Sequence, residues 1–162
     1  MRKVFNTLDK VEELILILLM TIMTVSIVIQ VFSRTILSIS LSWTEEISRF
    51  ILVWVTYVGA SLGVKRGAHI GVEAFSMLLP KKVRQFVEYI VLVLCIIFTF
   101  VVFKESLVIL QTQMFTGQKS AAIELPMWIP YLGVTVGTFL MTLRFIEQFY
   151  YQIRDNKLGG KI

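Results

Sequence analysis

Apolar residues in this chain mostly run together in four long blocks separated by polar stretches. The first block, Leu14–Ser33, has 20 residues without a charge. The second runs from Ile47 to Val64, with Arg49 near its start. The third begins near Phe86, is uncharged from Tyr89 to Phe103, and continues past Lys104 and Glu105 through Leu107–Leu110. The fourth, Leu125–Leu143, has 19 uncharged residues. A helix rising 1.5 Å per residue needs about 20 residues to cross a ~30 Å hydrocarbon core. Blocks this long lack the alternation of barrel strands. The pattern predicts an all-α membrane protein, a single domain over 1–162. Its four transmembrane helices lie at 14–33, 47–64, 86–110 and 125–143, with short interfacial segments and a frayed tail over 155–162.

Composition agrees. Hydrophobic residues make up 56% of the chain and charged residues 17%, and the mean hydropathy is +0.78. Soluble domains sit nearer about 45–50% apolar and 25% charged. The net charge of +5 in a soluble protein would raise nucleic acid as a partner. Here the basic residues fall between apolar blocks, so they report topology and no nucleic-acid partner is expected. Arg2 and Lys3 resemble the basic start of a signal peptide, but the first block is too long and lacks a small-residue cleavage site. It is expected to remain as a helix.

Positive charge sets the direction. The two tails and the middle connection hold 12 of the lysines and arginines, and the other two connections hold four: Arg34, Arg49, Lys104 and Lys119. Short cytoplasmic loops carry the excess of such residues. Both termini are therefore expected in the cytoplasm of a bacterial inner membrane. Trp43 and Trp128 then fall where the two external loops enter the bilayer, as interfacial aromatics do.

Local features refine the picture. Leu37–Trp43 alternates strictly but has no visible partner strand, so an extended surface segment is expected. Ser42 and Glu45 have the spacing of a capping box opening the second helix. Val72, Phe75, Leu78 and Leu79 have the spacing of a short interfacial helix. Gly59, Gly63, Gly67 and Gly71 recur every fourth residue, and Gly133 and Gly137 repeat that spacing in the fourth block. Small residues at i and i+4 let helix backbones approach closely in lipid. Whether the approach is internal or to another protein is open at this level. Pro126 and Pro130 open the fourth helix, where a missing N–H costs nothing.

Candidate chemistry is sparse. Glu45 and Arg49 share a helix face, and Glu46 joins Glu45 in the first turn, where the helix dipole favours acids. They read either as an ion-paired membrane boundary or as an external contact with another subunit or with substrate. His69, the one histidine, reads as structural or as a proton relay. Cys95 is alone and forms no internal disulfide. The first helix is expected to contain no acid, and the centres of the second and fourth blocks contain none either. Glu88 lies four residues after Arg84 and is expected to pair with it. No Ser/His, Cys/Cys or His/His set exists for catalysis, haem or metal. The chain reads as a non-enzyme without a cofactor and without the midplane ionisable groups of a self-sufficient coupled transporter.

The same residues carry a resemblance. Trp43-Thr44-Glu45-Glu46-Ile47-Ser48-Arg49, followed by Trp54 and Gly59, resembles the small membrane subunit of tripartite ATP-independent periplasmic (TRAP) transporters, the DctQ/SiaQ-like group. Arg66-Gly67-Ala68-His69-Ile70-Gly71-Val72, Leu79-Pro80, Gln118-Lys119-Ser120-Ala121, and then Pro126, Trp128 and Tyr131 fit the same family, over roughly residues 10–150. Glu73 stands where the family favours aspartate, a mild departure. The resemblance implies a large multi-helix permease subunit as partner. That subunit would carry the substrate and sodium sites, with a periplasmic substrate-binding protein delivering a carboxylate-bearing anion such as sialic acid or a dicarboxylate. It gives this chain a scaffolding role, with Glu45, Glu46 and the 111–124 loop as a docking face. A self-contained four-helix proton-coupled exporter needs an acid buried in the first span. A four-helix membrane assembly factor is the other alternative.

The charge asymmetry yields a direct test. Thiol-labelling of Ser38→Cys and Gln118→Cys is expected to succeed from the periplasm, and labelling of Lys82→Cys is not. Reaction of position 82 from outside would reverse the topology.

Overall fold

The computed structural model describes residues 2–65 and 80–159. Four helices account for most of them: α1 (Arg2–Ile36), α2 (Ser42–Lys65), α3 (Lys81–Thr116) and α4 (Trp128–Gly159). Each contains a stretch long and apolar enough to cross a membrane. The expected Arg66–Val72 motif, His69 and the interfacial helix over 70–79 lie outside the described residues.

Helix ends follow local chemistry. Pro80 precedes α3 with φ −56° and ψ 144°, and its carbonyl accepts the Arg84 N–H at 2.9 Å. Gly117 closes α3 in the left-handed conformation (φ 61°), which glycine adopts without the Cβ penalty. The capping box expected from Ser42 and Glu45 is not formed. Ser42 is already helical, and the first turn is instead closed by Thr44, whose N–H and hydroxyl both donate to the Leu41 carbonyl. Leu37–Leu41 is irregular, as the unpartnered alternation implied. The fourth helix starts at Trp128 and not at Leu125, because Leu125–Met127 are used in the preceding loop.

The helices form a row and not the closed bundle that four spans suggest. Among the described residues, backbones approach in three pairs only: α1 with α2, α2 with α4, and α4 with α3. Helix α4 is central and the most buried, while α1 and α3 are the edges. The edge helix α1 meets its neighbour along a narrow seam. From Lys10 to Ile36, only Glu12, Leu16, Leu19, Met23, Ser26, Gln30 and Ser33 are buried or half-buried. Their spacing alternates four and three, the repeat of a coiled-coil seam. Water would force these apolar backs together, whereas lipid tails solvate them, so a row is sufficient.

The contacts between helices are accordingly small and polar. Thr99, Ser106, Thr135, Thr138 and Thr142 are buried. Each hydroxyl donates to a carbonyl one turn back in its own helix. The polar atom is satisfied locally and the short side chain permits close packing. The tightest approach joins α2 and α4. Trp54 lies against Gly133, and Tyr57 lies against Gly137 so closely that an added Cβ would stand 2.5 Å from the Tyr57 Cβ and 2.6 Å from its backbone carbonyl carbon. The G-x-x-x-G of the fourth helix is thus an internal packing site. Gly59 differs, since a Cβ there would meet only Leu16 at 3.9 Å. Gly63 is half-buried, and Gly67 and Gly71 lie outside the described residues.

At the end of the row that carries the termini, Glu12 and Arg144 form a buried ion pair at 2.6 Å, 11% and 5% exposed. The first apolar block holds no acid, but the helix that contains it begins at Arg2 and takes in Glu12. The charge of Glu12 is met by an arginine 132 positions away. The expected Arg84–Glu88 pair forms at 2.9 Å. Glu88 also accepts from Gln152, and the Tyr89 hydroxyl donates to the Gln152 carbonyl, which locks α3 to α4.

The two glycine sites predict opposite outcomes. Gly137→Ala places its methyl against backbone that cannot rotate away, and is expected to cost about 1–3 kcal/mol. Gly59→Ala has room and gains helix propensity, so it is expected to be neutral or slightly stabilising. Thermal unfolding of both variants in detergent measures this. Equal melting of the two would remove the close-contact role of Gly137.

Candidate functional site

The polar chemistry of a chain this apolar concentrates where its loops meet water, and at the end opposite the termini the structure builds one organised element. The connection between α3 and α4 is a tight hairpin. Lys119 and Pro126 face each other across an antiparallel bridge. The Ser120 N–H donates to the Leu125 carbonyl and the Met127 N–H to the Gln118 carbonyl, each at 2.9 Å. Pro126 stands between these bonds, where its missing N–H is not needed. It therefore precedes α4, while Pro130 lies in the first turn of the helix, as expected. Glu124 turns the chain with φ 54°.

Glu46 fills the centre of this hairpin. Its carboxylate accepts the Ser120 hydroxyl, and also the backbone N–H groups of Ala121, Ala122 and Ile123 at 3.0–3.1 Å. Successive N–H groups converging on one anion make a backbone nest, and hydrogen bonds to a charged acceptor are stronger than neutral ones. The small side chains at 120–122 leave those donors open to approach. Ser120 is buried, and Gln118 and Lys119 are exposed at the rim. Below the hairpin, the Trp54 indole donates to the Ile129 carbonyl at 3.2 Å, fixing the start of α4 against α2. Trp43 is exposed and Trp128 half-buried at the same end.

The three charges of the α2 start therefore divide. Glu45 and Arg49 lie 3.9 Å apart and are 57% and 69% exposed. Such a pair contributes little to stability, on the order of 0–1 kcal/mol, and both side chains are free to meet another molecule. Glu46 is committed inward. Sequence reasoning groups it with Glu45 and misses its hairpin partners, which are 74 to 77 positions away. One signal is present: Glu45 has a base four residues on, but Glu46 has Phe50 there.

Of the other expected residues, Trp54, Gly133 and Gly137 meet in the α2–α4 contact. Gly59 lies on the α1 side, and His69 lies outside the described residues. No group of three or more His, Cys, Asp or Glu side chains able to hold a metal occurs among the described residues.

Sequence comparison with known proteins finds relatives of one kind. The chain is 32% identical over 112 residues to the isethionate TRAP transporter permease protein DctMQ of Oleidesulfovibrio alaskensis, a match that covers 69% of this chain and 18% of that protein. It is 28% identical to the C4-dicarboxylate TRAP transporter small permease protein DctQ of Rhodobacter capsulatus, covering 76% of this chain and 55% of that one. It is also 28% identical to the sialic acid TRAP transporter small permease protein SiaQ of Vibrio cholerae, covering 93% and 84%. The family of tripartite ATP-independent periplasmic transporters, DctQ component, matches residues 23–155. The chain belongs to that family, and is a multi-pass inner-membrane transport component rather than an enzyme.

Proposed function

We propose that this chain is the small membrane subunit of a sodium-coupled secondary transporter that receives an organic anion from a periplasmic binding protein. Family membership over residues 23–155 carries the reading. The three relatives above are named for isethionate, C4-dicarboxylates and sialic acid, all anions with a carboxylate or sulfonate group. That supports the same chemical class here. A match covering 18% of a much longer permease supports a large permease subunit as the partner. Sodium and substrate sites belong to that partner in this reading, since the described residues offer no midplane acid enclosed by the chain's own helices.

The basic asymmetry supports both termini in the cytoplasm and the hairpin in the periplasm. The Glu46-anchored hairpin then forms the outer surface, with Glu45 and Arg49 exposed beside it. A docking surface needs a fixed shape, because ordering a loose loop on contact costs conformational entropy. Glu46 supplies that fixity. Its role is to position the hairpin, while Glu45 and Arg49 offer charge to a visiting protein.

Uptake by vesicles reconstituted with small subunit, large subunit and binding protein tests this. Omitting the small subunit is expected to abolish uptake. Glu46→Ala removes the acceptor for four donors and is expected to lower uptake more than it lowers the yield of the membrane complex. Glu46→Gln keeps one acceptor oxygen and is expected to fall between. Glu45→Ala and Arg49→Ala are expected to change stability by no more than about 1 kcal/mol. If they weaken uptake, the effect is expected in the concentration of binding protein required. Normal uptake by Glu46→Ala would remove the positioning role.

A further inference from the structure

The two edges of the row are chemically unequal. The outward face of α1 is apolar, with Leu14, Leu18, Val25, Val28 and Phe32 exposed. Its polar residues Thr21 and Thr24 donate their hydroxyls to the Ile17 and Met20 carbonyls at 2.8 Å, within the same helix. Nothing on that face needs a partner in hydrocarbon. The outward face of α3 carries Lys104 and Glu105, both exposed.

Their depth follows from the packing of α3 on α4. Phe103 lies 5.4 Å, centroid to centroid, from Phe139, and the Tyr89 hydroxyl reaches the Gln152 carbonyl. Lys104 and Glu105 therefore stand level with the charge-free stretch Leu125–Leu143 of α4, not with either of its ends. Along α3 itself, Lys104 is about 24 Å beyond Glu88 and about 18 Å short of Thr116 at 1.5 Å per residue. This is the depth of the acyl chains, so α3 carries ionisable groups near mid-membrane where the sequence pattern led us to expect none.

Their direction follows from the helical repeat. Helix α3 turns Leu92, Ile96, Thr99, Phe103 and Ser106 toward α4. At 100° per residue, positions 104 and 105 project away from α4, beside Ile97, Val101 and Val108. Among the described residues, neither the Lys104 nor the Glu105 side chain has a hydrogen bond or an ion pair. As neighbours at i and i+1 they diverge on the helix surface and do not face each other. Ionisable side chains at this depth are costly in lipid and are found paired or facing polar surroundings.

We propose that the face of α3 around Lys104 and Glu105 is where the large permease subunit packs, and that the outward face of α1 faces lipid. The inference rests on the small-subunit reading and adds to it the contact surface. The occupant is a membrane-embedded protein surface presenting an acid or amide oxygen to Lys104 and a basic or amide donor to Glu105 at matching depth. Bare acyl chains supply neither group.

Nitroxide labels on a Cys95→Ala background test the assignment. They are placed at Val101→Cys and Val108→Cys on α3, and at Leu18→Cys and Val25→Cys on α1. Relaxation by lipid-dissolved oxygen is compared in the chain alone and in its complex with the large permease subunit. The α3 labels are expected to lose oxygen accessibility severalfold in the complex, and the α1 labels to keep it. Lys104→Leu with Glu105→Leu is expected to leave the level of the chain in the membrane unchanged and to lower the yield of complex by about tenfold or more, as loss of buried charge partners does. Oxygen-accessible α3 labels in an intact complex would overturn the assignment while leaving the small-subunit reading standing. So would α3 labels already shielded in the chain alone by a second copy of it. Failure to form any complex with a large permease would overturn both.

Discussion

The seating of Tyr57 on Gly137 and of Trp54 on Gly133 governs the rest of the arrangement. In lipid, helices gain nothing by hiding apolar side chains from each other, so association depends on close packing and on polar pairs. Two glycines one turn apart remove the side chains that would separate α2 from α4. The backbones then come near enough for the Trp54 indole to reach the Ile129 carbonyl. That one contact sets the height of α4 against α2, and so sets what meets at both ends of the row.

At the hairpin end it brings the first turn of α2 beside the loop that precedes α4. Glu46 can then hold four donors of a segment that has no core of its own. At the other end the same register brings Arg144 level with Val64, and the arginine reaches past α2 to Glu12 of α1. Breaking a buried pair by removing one partner leaves a charge stranded, at roughly 3–5 kcal/mol. The pair thus holds α1 in a place that its narrow seam alone would fix less firmly. Dense packing in the middle and two charge anchors at the ends make a small row of helices into a defined body.

A row exposes two edges and two faces, which a closed bundle would not. For the proposed role of supporting a large permease subunit, that geometry leaves broad lateral surface available. The cost of the exposed apolar side chains is nil in hydrocarbon, so the constraint falls on the charges. Lys104 and Glu105 sit badly in acyl chains and sit well against a polar protein surface.

The number of spans, their helical nature and the basic asymmetry were legible in the sequence, because each follows from counting residues against the thickness of a bilayer. The small-residue spacing of Gly133 and Gly137 was legible too, and so was the local pair Arg84–Glu88, which one helical turn brings together. The motif order around Trp43–Arg49 and Gln118–Ala121 pointed to the family. Which helix meets which was not legible, since uniformly apolar spans carry no face that names a neighbour. The partner of Gly137 was undetermined for that reason, and so was the row. Glu46 was grouped with Glu45, and Glu12 was passed over, for a related one. Each acid is satisfied by groups more than 70 positions away, and only the tertiary register of α2 against α4 puts those groups within reach.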